Sequence, residues 1–267
     1  MNKASAQQIA EIESFDQLKE DFLSTISHEL RSPVTNIKVA IRLLRLLLQQ
    51  DESDKNYSTQ SPIAQKQTAF EAKVDHYLLI VEQECDREMD LLNNFLDLQQ
   101  LDAGNYRLTQ TAVHLQEIIP QVIKPFLNRA ANQQQTLQLE IATNLPVLII
   151  DQNSLERILT ELLCNACKFT PVGGAIVVRL SLETTSTKAL NNFQLNVTNS
   201  GIEIPTSEYS RIFERFYRIP KDDRWKYGGT GLGLTLVKEL TEHLGGSIQV
   251  ESEAGQTCFT VEIPINS

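Results

Sequence analysis

Apolar side chains recur every third or fourth position from Phe15 through Leu18, Phe22, Ile26, Leu30, Val34, Ile37, Ile41 and Leu44 to Leu48. That period makes one face of an α-helix apolar and leaves the rest polar, as in the seam of a helical bundle. The pattern predicts a helix from about Ala6 to Gln50. Residues 49–67 are rich in Ser, Asp, Gln and Lys, contain Pro62, and read as a connecting loop. A second stripe, Val74, Leu78, Val81, Cys85, Leu92 and Phe95, predicts another long helix ending near Leu101, with Gly104 as its stop signal. Two such helices form an antiparallel hairpin whose apolar faces have nothing large to cover them. Two hairpins pairing as a four-helix bundle would bury both faces, so a homodimer is expected.

Inside the first helix, Ser24-Thr25-Ile26-Ser27-His28-Glu29-Leu30-Arg31-Ser32-Pro33 has features that a plain bundle helix does not need. Pro33 has no N–H, so the carbonyl of Glu29 loses its helical partner and the axis bends. His28 lies off the apolar stripe and should face water near the bend. A lone histidine there is either a solvated surface residue or a group that trades protons near neutral pH, with the Glu29 carboxylate to orient it.

The chain has 267 residues, 41% hydrophobic and 22% charged, enough to build real cores in one large domain or two ordinary ones. A net charge of −10 argues against a duplex nucleic-acid binder. Cys164 and Cys167 have Cys-x-x-Cys spacing, but Cys85 and Cys258 supply no second pair for a zinc site, and the scatter suggests a reducing, cytoplasmic compartment. Met1 to Glu20 is polar, unlike a signal peptide. Ile41 to Leu48 is interrupted by Arg42 and Arg45 and is too short to cross a bilayer, so no membrane segment is expected in this chain.

After Asn105 the texture becomes mixed. Leu115 to Ala131 reads as a helix, with Pro120 and Pro125 expected to distort it. Strands are predicted at Thr136–Ile141, Val147–Ile150, Ala175–Leu182, Phe193–Thr198, Ser247–Ser252 and Thr257–Ile263. Helices are predicted at Leu155–Phe169 and Leu232–Leu244. This order suggests a two-layer α/β sandwich with helices on one face of a mixed sheet, so the fold class is α+β: residues 1–104 a helical hairpin, residues 105–267 the sandwich.

Two constellations in the second half carry chemistry. Gly228-Gly229-Thr230-Gly231-Leu232-Gly233-Leu234 opens directly onto a helix, where backbone N–H groups and the helix dipole favour phosphate. It is neither a Walker loop nor a dinucleotide fingerprint. In Glu161-Leu162-Leu163-Cys164-Asn165-Ala166-Cys167-Lys168, Glu161, Asn165 and Lys168 share one helix face. A carboxylate, an amide and a cation together suit Mg2+ and phosphate, although a solvated helix face looks the same.

Five segments then carry a resemblance. These are His28-Glu29-Leu30-Arg31-Ser32-Pro33, Asn165-Ala166-Cys167-Lys168-Phe169-Thr170-Pro171, Asn199-Ser200-Gly201-Ile202-Glu203-Ile204-Pro205, Phe213-Glu214-Arg215-Phe216-Tyr217-Arg218 and Gly229-Thr230-Gly231-Leu232-Gly233-Leu234. In this order they resemble the phosphoacceptor, asparagine, first glycine, phenylalanine and second glycine boxes of the sensor histidine kinase family of two-component systems. The resemblance spans almost the whole chain. It implies a dimeric, ATP-dependent protein histidine kinase that needs Mg2+ and passes phosphate to the receiver domain of a response regulator.

By the same resemblance, His28 is the phosphoacceptor and Glu29 its proton partner. Asn165 is similar to the Mg2+ ligand, Glu161 to the carboxylate beside it, and Lys168 to a phosphate contact. Gly201 and Thr257 would lie near adenine, Arg218 would meet the γ-phosphate, and Gly229, Gly231 and Gly233 would cradle phosphate, with residues 205–228 as a lid. Ser32 keeps a hydroxyl where the family often has threonine or asparagine, which leaves response-regulator phosphatase activity open. Asn199 stands where an aspartate usually accepts the adenine amino hydrogen, and its amide can still accept it. Glu203 replaces the box's second glycine, and Phe169 stands where tyrosine is frequent. The alternatives are a nucleotide-binding but catalytically weak dimeric scaffold, and an ATPase of the Hsp90-like or mismatch-repair kind that would leave the His28 helix unexplained.

Overall fold

The computed structural model describes residues 33–48, 63–143, 145–184, 191–220 and 230–265. The chain divides into two units, Met1–Asn93 and Asn94–Ser267. The first contains helix α1, described over residues 33–48, and most of α2 (Ile63–Asp102), whose last turns belong to the second unit. The predicted helical stretch before Pro33, with its expected bend, lies outside the described residues.

Ala40 and Leu91 are buried in the hairpin unit, and Asn36 Nδ2 donates to Glu84 Oε1 at 2.9 Å to link α1 with α2. Predicted seam residues Val34, Ile41 and Leu48 of α1 and Leu78 of α2 remain exposed, as do Leu79, Met89 and Leu92. The apolar period is therefore present, but its outer face has no cover from the described residues.

In the second unit a five-stranded sheet runs in the order β2 (Thr136–Ile141), β4 (Ala175–Thr184), β5 (Asn191–Ser200), β7 (Gln256–Pro264) and β6 (Ser247–Glu253). The β2–β4 pairing is parallel and the others are antiparallel, giving the mixed sheet that the sequence implies. Every second residue is buried: Ile176, Val178 and Leu180 on β4, Phe193, Leu195 and Val197 on β5, Phe259, Val261 and Ile263 on β7. The register sets Val178 opposite Val197 and Val197 opposite Phe259, so these residues share one face. They join one core with the buried sides of α3 (Leu115–Asn132), α4 (Gln152–Phe169) and α5 (Gly233–His243).

Three details differ from the sequence reading. Helix α2 begins at Ile63, inside the stretch read as a loop to residue 67, because Pro62 stands just before a helix start. Strand β1 (Gln110–Val113) was not expected; it pairs antiparallel with β3 (Leu148–Asp151) in a separate two-stranded sheet, so β3 lies outside the main sheet. Helix α3 is continuous through Pro120 and Pro125. Both prolines are exposed, as are Gln116 and Gln121, whose carbonyls they deprive of partners, so water can satisfy those groups.

The ends of α4 are fixed by side chains. Asp151 caps its start, accepting from Ser154 N at 2.7 Å and from Thr109 N at 2.7 Å. At its end, buried Gln135 donates from Nε2 to the carbonyls of Cys167 (2.9 Å) and Thr170 (2.6 Å), and Thr170 Oγ1 donates to Ala166 O at 2.7 Å. These bonds satisfy terminal carbonyls that a helix otherwise leaves unpaired. They hold the turn carrying Asn165 and Lys168.

Candidate nucleotide site

Helix α4 turns Leu155, Ile158, Leu159, Leu162, Leu163 and Ala166 into the core and leaves Glu161, Asn165 and Lys168 half-buried on its other side. Helix α5 packs beside it. A Cβ added to Gly233, the first residue of α5, would lie 2.5 Å from Glu161 Oε2, so the carboxylate rests against the start of that helix. The α4 carboxylate and the glycine turn, two constellations far apart in the sequence, lie against each other.

The N-cap residue of α5, Leu232, has no side-chain cap bond, and the N-terminal end of a helix favours an anion. A carboxylate and a phosphate at the same helix start repel each other unless a divalent cation lies between them. Glu161 and Asn165, one helical turn apart, offer the oxygen donors that Mg2+ takes, so the donor set fits that ion. The ammonium of Lys168 lies 4.8 Å from the Phe169 ring centroid, a cation–π contact.

The glycine turn is fastened to the phenylalanine segment. Phe216 N–H donates to Gly231 O at 3.0 Å, and both residues have left-handed backbones, φ +60° and +71°. A Cβ on Gly231 would lie 2.7 Å from the Phe216 carbonyl carbon, so only glycine fits. Arg218 is half-buried just beyond this junction. One residue before the Phe216 contact, the phenylalanine segment is anchored to the last turn of α2, where Arg215 binds Asp102 through two bonds of 2.6 and 2.5 Å. The Asp102 carboxylate raises the pKa of the Arg215 guanidinium above its ordinary value.

Asn199 and Thr257 face each other across β5 and β7 and are 5% and 3% exposed, so two residues expected near adenine are neighbours inside the fold. Asn199 Nδ2 makes a long 3.4 Å bond to Ser200 O. Thr257 Oγ1 donates to Ile202 O at 3.2 Å and lies 2.7 Å from Ser252 Oγ, which accepts from Ile204 N at 2.9 Å. Tyr209 OH accepts from Ser252 N at 2.6 Å and donates to Ser252 O at 3.1 Å. Gly201, φ +130°, is held by its neighbours: a Cβ there would lie 2.7 Å from Pro171 Cδ and 3.0 Å from Phe169 O. Glu203, unexplained as a departure from the glycine pattern, accepts from Gly255 N at 2.6 Å and ties this segment to the β6–β7 turn.

The structure thus brings Glu161 to Gly233, Phe216 to Gly231, Asn199 to Thr257, and Gly201 to the end of α4. His28, Glu29, Ser32 and Gly229 lie outside the described residues. Sequence reasoning missed Arg157, Gln135, Tyr209, Ser252 and the Asp102–Arg215 pair. Only Arg157 carried a local signal, standing four residues before Glu161 on one helix. A groove of about 250 Å3 lined by Leu108, Ile149, His243 and Ile265 contains none of the predicted site residues. Among the described residues no cluster of His, Cys, Asp or Glu could by itself hold a metal, and no helix is long and apolar enough to cross a membrane.

Two family models match the chain. The one described as His Kinase A (phospho-acceptor) domain covers residues 18–104. The one described as Histidine kinase-, DNA gyrase B-, and HSP90-like ATPase covers residues 150–267. The second admits several kinds of ATPase; the first, on the same chain, decides among them. The chain belongs to the histidine kinase family.

This histidine kinase chain is 34% identical over 250 residues to the circadian input-output histidine kinase CikA of Synechococcus elongatus, covering 92% of this chain and 30% of that protein. It spans about a third of the length of the curated relatives it matches. Full-length ShkA in complex with AMPPNP superposes with a TM-score of 0.60 at 25% identity, over 92% of this chain and 46% of that one. ThkA in complex with the response regulator TrrA shares the fold, with a TM-score of 0.59 at 18% identity, over 100% of this chain and 67% of that one.

Proposed function

We propose that this chain is the catalytic part of an ATP-dependent protein histidine kinase that phosphorylates His28 and passes the group to an aspartate of a response regulator. One observation carries the proposal: a phosphoacceptor domain and a nucleotide-binding domain follow each other on one chain, and in the latter Glu161 rests against the glycine turn. Residues 1–104 serve as the dimerisation and phosphotransfer hairpin, and residues 105–267 bind ATP. The exposed apolar residues of α1 and α2 support a homodimer through the hairpin. The ThkA–TrrA complex supports a receiver domain as partner. The expected setting is cytoplasmic.

Phosphoryl transfer asks a protein for positioning and charge neutralisation more than covalent chemistry. A ring nitrogen of His28 attacks the γ-phosphorus, the bond to the ADP oxygen breaks, and Glu29 takes the ring proton. The N–H groups at the start of α5, with Gly229, Gly231 and Gly233 at the turn, hold the phosphates, joined by Lys168 and Arg218. Asn165 with Glu161 would hold Mg2+, which would supply neutralisation of phosphate charge. Asn199 and Thr257 face the adenine with Gly201 beside them, and Ser32 assists phosphate release from the receiver.

The test is incubation with γ-labelled ATP and Mg2+. Acid-labile label on the protein, absent in His28→Ala, is the expected result. Folded, nucleotide-binding protein that takes up no label would overturn the proposal, and label that survives His28→Ala would move the acceptor elsewhere.

A further inference from the structure

Arg157 lies on α4 one turn before Glu161, and its guanidinium is divided among three acceptors. Nη2 donates to Asn94 Oδ1 in a short bond and lies 3.6 Å from Glu161 Oε1, while Nε lies 3.7 Å from Asp97 Oδ2. Asn94 and Asp97 belong to the last turns of α2, within the same unit as α4. The guanidinium satisfies one acceptor at hydrogen-bond distance and holds the other two only at ion-pair range. Arg157 Nε is buried with no hydrogen-bond partner. Burial holds the Asp97 carboxyl above its ordinary range, and Arg157 offsets only part of that. Two groups on α2 therefore compete with Glu161 for one cation.

We propose that Arg157 is a positioning residue for Glu161, through which the last turns of α2 set how that carboxylate is presented at the start of α5. This rests on the reading of Glu161 given above. With Oε1 held toward the guanidinium, Oε2 stays against Gly233. Loss of the cation removes one restraint on that orientation and leaves more negative charge where phosphate binds. Loss of Asn94 and Asp97 acts in the opposite direction and also slows labelling, because Arg157 then pairs more closely with Glu161 and offsets its charge.

A mere strap between α2 and α4 makes a different prediction, and a double-mutant cycle on the full chain separates the two. Arg157→Met should lower kcat/KM for His28 labelling about tenfold. In a Glu161→Gln background the same substitution should cost less than about twofold, because its route is gone. Independent, multiplying losses overturn the proposal, as does a loss that follows the fall in thermal midpoint.

If Arg157→Met does not fold, Asn94→Ala with Asp97→Asn keeps the arginine. This pair should slow labelling about threefold in the native chain and leave Glu161→Gln unchanged; equal effects in both backgrounds overturn the proposal. Binding of a non-hydrolysable ATP analogue with and without Mg2+ gives a readout independent of turnover. The Mg2+-dependent gain in affinity should fall in Arg157→Met and in Glu161→Gln, and no further in the double variant. Coupled binding without acid-labile label would leave the arginine's role standing and remove the kinase reading; uncoupled binding beside normal labelling would remove the arginine's role alone.

Discussion

Helix α4 buries Leu155, Ile158, Leu159, Leu162 and Leu163 at 0% exposure, whereas α2 leaves Leu78, Leu79 and Met89 at 46, 50 and 56%. Helix α4 is the more strongly amphipathic, and what surrounds the two helices also differs. Helix α4 is flanked by α3 and α5 and backed by β5, all within one unit. Helix α2 has α1 on one side, and a two-helix hairpin cannot cover the rest of either apolar face. A core closed within one chain is stable at any concentration, whereas a face that needs a second chain ties stability to association.

The sharpest way to break this contrast is to truncate one leucine in each region. Leu159→Ala should cost the nucleotide-binding unit about 2–5 kcal/mol, independent of protein concentration, in chemical denaturation. Leu79→Gln should leave that transition unchanged and weaken dimerisation in sedimentation, by about 1 kcal/mol or more per interface. If Leu79→Gln left the oligomeric state untouched, the exposed face of α2 would not be the dimer surface.

Inside the nucleotide-binding unit, core and site can be set against each other at Gly233. Its Cβ would strike only the end of the Glu161 side chain, which can move, and alanine favours a helix start more than glycine does. Gly233→Ala should keep or raise the thermal midpoint while lowering the labelling rate at least about tenfold. Stability and activity falling together would show that Gly233 serves packing alone.

The smallest expected effect is at Asp97. Burial raises its pKa in the folded chain, so the folded state binds its proton more readily than the unfolded state does. The associated stability is fully present below the ordinary value of 3.8 and is lost as pH rises through the higher folded value. Asp97→Asn should therefore match or slightly exceed the parent in thermal midpoint at neutral pH and lose that advantage in acid. A lower midpoint at neutral pH would mean that the ion pair with Arg157 outweighs burial.

The legible part of the fold is the part written in local periodicity. Alternation in β4, β5 and β7 marked the strands, with ends two residues or fewer from those observed. Strand β1 was missed because three of its four residues are exposed, which leaves no alternation to read. Strand β3 was found, but its partner was not, so its separation from the main sheet could not be foreseen. Glu203 looked like damage to a glycine motif until Gly255 was seen to donate to it.

By itself the sequence determined the two long apolar stripes, the strand periods, and the order of the motifs from His28 to Thr257. Each is a property of residues a few positions apart, where helix and strand geometry alone decide which side chains share a face. Only the tertiary structure decided that Glu161 rests on Gly233, that Asn199 faces Thr257, and that Arg157 is shared between α2 and α4. Those contacts depend on strand register and helix packing across long stretches of chain, and no local period encodes them.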